Sequence, residues 1–176
     1  MRKTLQVREF SAQPHTGLTP AKRDTLSEAA VICLEEQSHE SGVELAVSGA
    51  FDEKFILEWD AATERMIRCY ADKEEATEDG AYCVAIITIA ELTSLLVTQK
   101  SRKGNGFDFH LGNSEDKRNF LDTTILEVSG IRNGSESTIK KRMAEKNERL
   151  NSYQNRLPGY IAIVEFGTPL VDVLER

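Results

Sequence analysis

The run Tyr160-Ile161-Ala162-Ile163-Val164-Glu165-Phe166 constrains this chain more than any other segment. It follows the breaker Pro158-Gly159 and is apolar on both faces until Glu165. A strand of that kind is central in a sheet and is covered on both sides. Residues 73–100 make a second demand. Their pattern is helical, and the later part (Val84, Ala85, Ile86, Ile87, Ile89, Leu92, Leu95, Leu96) is apolar nearly all round. Such a helix belongs in the core. The acidic first half (Glu74, Glu75, Glu78, Asp79) suits the positive end of the helix dipole.

With 176 residues, the chain is expected to form one domain with a sizeable core. Its 40% hydrophobic and 29% charged content excludes a disordered tail and a membrane protein. No uninterrupted apolar run approaches the ~18 residues of a membrane span, and residues 1–6 lead into no signal-type segment. A cytoplasmic protein with no membrane partner is the expectation. Cys33, Cys69 and Cys83 are odd in number and lack CxxC spacing, against a disulfide scaffold or structural zinc.

The N-terminal part, residues 1–72, reads as β-rich. A short strand over residues 5–10 precedes a helix that opens at Thr19-Pro20 and runs to about His39. Strands at 43–47 and 54–59 follow, and alternation over 65–70 predicts a third, completing a β-meander. A helix starting at Asp60 is the rival there. Residues 73–176 read helix, strand, strand, helix, strand. The two middle strands are 107–111, with Phe107, Phe109 and Leu111 on one face, and 123–131, with Leu126 and Val128 on one face. Ser135 caps a helix to about Asn155, whose apolar stripe (Ile139, Met143, Leu150, Tyr153) is narrow. The expected class is α/β, with α+β as the alternative: a mixed central sheet flanked by helices.

If strands 107–111 and 123–131 pair antiparallel, their other faces bring together Asp108, His110, Glu127 and Ser129. Two carboxylates on adjacent strands can share a divalent cation such as Mg²⁺, with a main-chain carbonyl completing the oxygen ligands. Alternation by itself reads Asp108 and Glu127 more simply, as solvent-facing acids of a half-exposed sheet.

This order of elements, with Gly106-Phe107-Asp108-Phe109-His110-Leu111 followed by Leu126-Glu127-Val128-Ser129, resembles the restriction-endonuclease-like superfamily. The resemblance covers residues 73–166. It implies a nuclease that cuts DNA or RNA with Mg²⁺, held here by Asp108 and Glu127. A helical glutamate would assist, Glu78 ahead of Glu75 or Glu91. Bacterial defence is a setting it suggests. The family carries lysine where this chain has Ser129, so Lys140 or Lys141 of the following helix is expected to supply the missing ammonium. Gln154 is similar to a glutamine some of these nucleases carry. The lysine's absence equally suits a non-catalytic subunit that keeps the fold and docks a partner protein.

Net charge is −7, yet residues 101–156 hold eleven basic against eight acidic side chains. Arg102 and Lys103, with Lys140 and Lys141, are therefore the expected DNA contacts, continuous with Lys100. An acidic chain with one basic segment is expected to bind DNA weakly and in a salt-sensitive way.

Overall fold

Residues 3–113, 124–152 and 157–176 are described by a computed structural model. Eight strands form one mixed sheet: β1 (Lys3–Gln6), β2 (Val43–Gly49), β3 (Glu53–Glu58), β4 (Leu96–Lys100), β5 (Phe109–Gly112), β6 (Thr124–Ile131), β7 (Gly159–Glu165) and β8 (Leu170–Glu175). Their order across the sheet is β1-β3-β2-β8-β7-β6-β5-β4. The four α-helices are α1 (Pro20–Glu36), α2 (Glu64–Cys69), α3 (Lys73–Thr93) and α4 (Glu136–Ser152). The expected α/β class and mixed sheet are what the chain adopts.

The apolar run that begins at Tyr160 forms β7 as far as Glu165, paired parallel to β6 and antiparallel to β8. Its two faces feed two cores. Ala162 and Val164 join the large core beneath α1 and α3, while Ile161 and Ile163 pack with Ile139 and Leu150 of α4. Sheet and helices therefore make three layers, with β6 and β7 covered on both sides. Glu165, the polar exception, is buried because Gly134, Gly167 and Thr168 donate backbone N–H groups to its carboxylate.

Four expectations are corrected. The strand expected over residues 5–10 ends at Gln6, and Val7–Ala12 form a 3-10 helix. The third strand of the meander is absent, because residues 64–69 form α2. Thr63 caps that helix by accepting from the Met66 amide at 3.3 Å, and Met66 and Tyr70, four apart, turn together onto the core. The strand beside the β2–β3 pair is instead β1, parallel to β3. The helix of residues 73–100 stops at Thr93, where Ser94 turns left-handed (φ 62°), and residues 96–100 become edge strand β4. Finally β8, for which no strand was expected, joins the N-terminal strands to the rest by pairing parallel to β2. Tyr153 and Gln154 lie outside the described residues, as does residue 123.

No helix among the described residues is long and apolar enough to cross a membrane. His15 serves the fold: its Nδ1 accepts from the Val97 amide, holding β4, and burial beside Arg23 lowers its pKa to about 4.

Helix α3 approaches β6 closely. A Cβ on Gly130 would lie 2.5 Å from the Thr77 carbonyl oxygen of α3. Gly130→Val should therefore cost about 1–3 kcal/mol by forcing helix and strand apart. Urea unfolding of the variant measures it, and an unchanged midpoint would contradict this packing.

Candidate active site

Strand β5 pairs antiparallel with β6, placing Phe109 opposite Leu126. Residues 107 and 108 stand just ahead of β5, so the expected alternation breaks there. Phe109 enters the large core against Tyr82, whereas Phe107 joins the cluster under α4. Asp108 consequently sits at the open end of β5. Its main-chain amide donates to the Leu126 carbonyl at 3.1 Å, and its Oδ2 accepts from the Val128 amide at 2.8 Å. Its Oδ1 is 3.0 Å from the Tyr82 hydroxyl, which also lies 2.9 Å from Glu78 Oε1.

Glu127 does not face solvent. It is 3% exposed, between β6 and α4, and its Oε1 accepts from Lys146 Nζ at 2.6 Å. The Asp108 carboxylate is its neighbour on the adjoining strand end. Burial first, and the neighbouring Asp108 charge second, push the Glu127 carboxyl up to about 7 despite the opposing pull of Lys146. Two residues further along the same face, the buried Ser129 hydroxyl accepts from Arg142 Nη1 at 2.8 Å.

These groups line a cleft of about 810 Å³ between the 100–106 loop, α3, β6 and α4. Lys73, Lys100, Arg102, Lys103, Arg132, Arg142, Lys146 and Arg149 line it, against four acids: Glu74, Glu78, Asp108 and Glu127. Phosphate-sized anions are the natural complement of such walls around an acidic floor. The expected Asp108–Glu127 pair is thus brought together, with Arg102 and Lys103 on one wall. Glu78 reaches Asp108 only through Tyr82. Glu91 is elsewhere, paired with Lys3, and Glu75 does not line the cleft. His110 packs edge-on against Phe107 and stays outside it.

Lys140 and Lys141 are not where the sequence puts them. They lie on the outer side of α4, paired with Glu136 and Glu145 respectively. Neither lines the cleft, so neither joins Lys100, Arg102 and Lys103 there. The ammonium beside Glu127 belongs to Lys146. A sequence signal for it existed: Ile139, Met143, Lys146 and Leu150 follow the i, i+4, i+7, i+11 spacing of one helix face. A cation in a slot of the apolar stripe points inward.

Among the described residues no group of three or more His, Cys, Asp or Glu side chains is arranged to hold a metal. The donor set available is the two carboxylates. That suits Mg²⁺, which takes one or two protein carboxylates and completes its shell with water and substrate phosphate. The raised carboxyl of Glu127 fits as well, since a cation relieves the repulsion between buried Glu127 and its half-buried neighbour Asp108.

No protein-family model, no curated protein and no solved structure matches this chain.

Proposed function

We propose that the chain is a restriction-endonuclease-like hydrolase that cuts phosphodiester bonds of DNA with Mg²⁺. The observation that carries this reading is Lys146 Nζ, 2.6 Å from a buried Glu127 whose neighbour is Asp108. Two acids and one lysine are the charges such hydrolysis needs, and here the lysine comes from helix α4 in place of Ser129. Asp108 and Glu127 would hold the ion, which supplies Lewis-acid polarisation of the phosphate and of the attacking water. Asp108 is fixed for this by the Val128 amide and Tyr82 hydroxyl. Lys146 orients the water through a hydrogen bond and offsets negative charge developing on the phosphate. The cationic walls draw the strand across the acidic floor, where carboxylates alone would repel it. A role in bacterial defence belongs to the same reading.

The test is plasmid DNA incubated with the purified protein and Mg²⁺ or Mn²⁺, alongside calorimetric titration of each ion. Nicking that requires the ion is expected, with DNA binding that weakens steeply as salt rises. If neither ion binds and no nicking occurs, the chain is instead a non-catalytic subunit, keeping the fold to dock a partner protein.

A further inference from the structure

Two rungs connect β6 to α4. One is Glu127–Lys146 at 2.6 Å and the other is Ser129–Arg142 at 2.8 Å. They can exist together because a two-residue step along a strand, about 6.6 Å, nearly matches a four-residue step along a helix, about 6 Å. The rungs differ in charge. Lys146 meets a carboxylate, whereas Arg142 donates to a neutral hydroxyl. The other close acid, Glu145, lies 3.8 Å from Arg142 Nε. A guanidinium carries five N–H donors in a planar fork, so one bond to Ser129 orients it and leaves donors for a bidentate acceptor. Arg142 borders the cleft beside Lys146 and remains partly open to solvent.

We propose that Arg142, oriented by the Ser129 hydroxyl, is a phosphate-binding residue of this cleft, gripping a phosphodiester beside Glu127. This assignment rests on the nucleolytic reading only for the name of its ligand, a nucleic-acid phosphate. In the motif the 129 position carries the cation itself. In this chain it carries the hydroxyl that aims a cation from the facing helix, so Ser129 is a positioning residue.

The experiment measures binding without catalysis. Fluorescence anisotropy of a labelled 20-base-pair duplex is recorded in EDTA at low salt, for wild type, Arg142→Ala, Arg142→Lys, Ser129→Ala and the Ser129→Ala/Arg142→Ala double variant. Thermal melts confirm that each is folded. Arg142→Ala should weaken binding about ten- to a hundredfold, the range for a hydrogen-bonded charge. Arg142→Lys should restore only part of it, because an ammonium lacks the fork. Ser129→Ala should weaken binding about three- to tenfold, and have no further effect once Arg142 is alanine. Wild-type binding by Arg142→Ala overturns the proposal, as do losses that simply add. Because EDTA removes the ion, absence of nicking elsewhere leaves this result intact. Binding lost in Arg142→Ala by a protein that never cleaves would overturn the nuclease reading and keep the phosphate site.

Discussion

Glu127→Gln is expected to lower divalent-dependent cleavage by on the order of 10³-fold or more, while improving stability relative to wild type as pH rises. If Glu127 holds the ion as proposed, its loss removes one of two ionic ligands, a change worth several kcal/mol of transition-state stabilisation. The stability effect follows from burial. Glu127 is 3% exposed, and its carboxyl is pushed from about 4.5 up to about 7. Between those values the folded state holds a proton that the unfolded chain has released, so wild-type stability falls as pH rises through the window. Glutamine carries no charge and escapes that fall. Lys146, left without its carboxylate, has 19% of its side chain in solvent and stays hydrated. Urea midpoints at pH 5 and pH 8 measure the effect. The variant should gain about 2 kcal/mol on wild type between the two. A gap that does not change with pH would show that Glu127 is ionised without strain, and would remove the electrostatic case for a cation at this pair. Saturating Mg²⁺ should flatten the wild-type dependence, since a bound ion competes with the proton.

Periodicity carried the sequence furthest where both faces of a strand are buried. In β7 no residue pattern but a central strand accommodates Ile161, Ala162, Ile163 and Val164 in succession, and all four are buried. The β5–β6 pairing was equally legible from Phe109, Leu111, Leu126 and Val128. Alternation failed where it separated nothing. Over residues 65–70 each supposed face mixes arginine with an apolar residue, and the Thr63 cap decided for helix. At Ser94 the cause is a single left-handed residue, which no hydrophobic pattern announces. The β8 pattern was present in Val171 and Val173, but its place between β2 and β7 depends on partners distant in the chain. In the site, the strand residues Asp108 and Glu127 were readable one element at a time. Of their cations, Lys146 shares the Ile139, Met143 and Leu150 stripe, whereas Arg142 falls outside that spacing. Which face of α4 meets β6 is set by Ile139 and Leu150 packing on Ile161 and Ile163, a tertiary fact. That packing turns Arg142 and Lys146 inward and leaves Lys140 and Lys141 in solvent, paired within their own helix.

Lys146→Met is expected to slow cleavage by about 10²- to 10⁴-fold, the range for losing a positioned proton-transfer or charge-stabilising group. Lys140→Ala and Lys141→Ala should cleave at the wild-type rate. Both are exposed, and their i,i+4 pairs lie on the helix surface, where solvent screens them. Methionine keeps most of the length of the lysine stem beside Met143 and Leu150, so the contrast reports charge rather than packing. Folding should survive because Glu127, deprived of its ammonium, can take up a proton instead of remaining an uncompensated buried anion. That response has its own signature: stability of Lys146→Met should decline with pH more steeply than that of wild type. Lys146→Arg should not restore the rate, since the broader guanidinium cannot occupy the same 2.6 Å contact while leaving room for a water molecule. Rates on plasmid DNA at saturating Mg²⁺, with thermal melts at pH 5 and pH 8, separate these outcomes. If Lys146→Met cleaves like wild type while Lys141→Ala is inactive, the ammonium that matters comes from the outer side of α4. The Glu127–Lys146 pair would then be a structural salt bridge between helix and sheet.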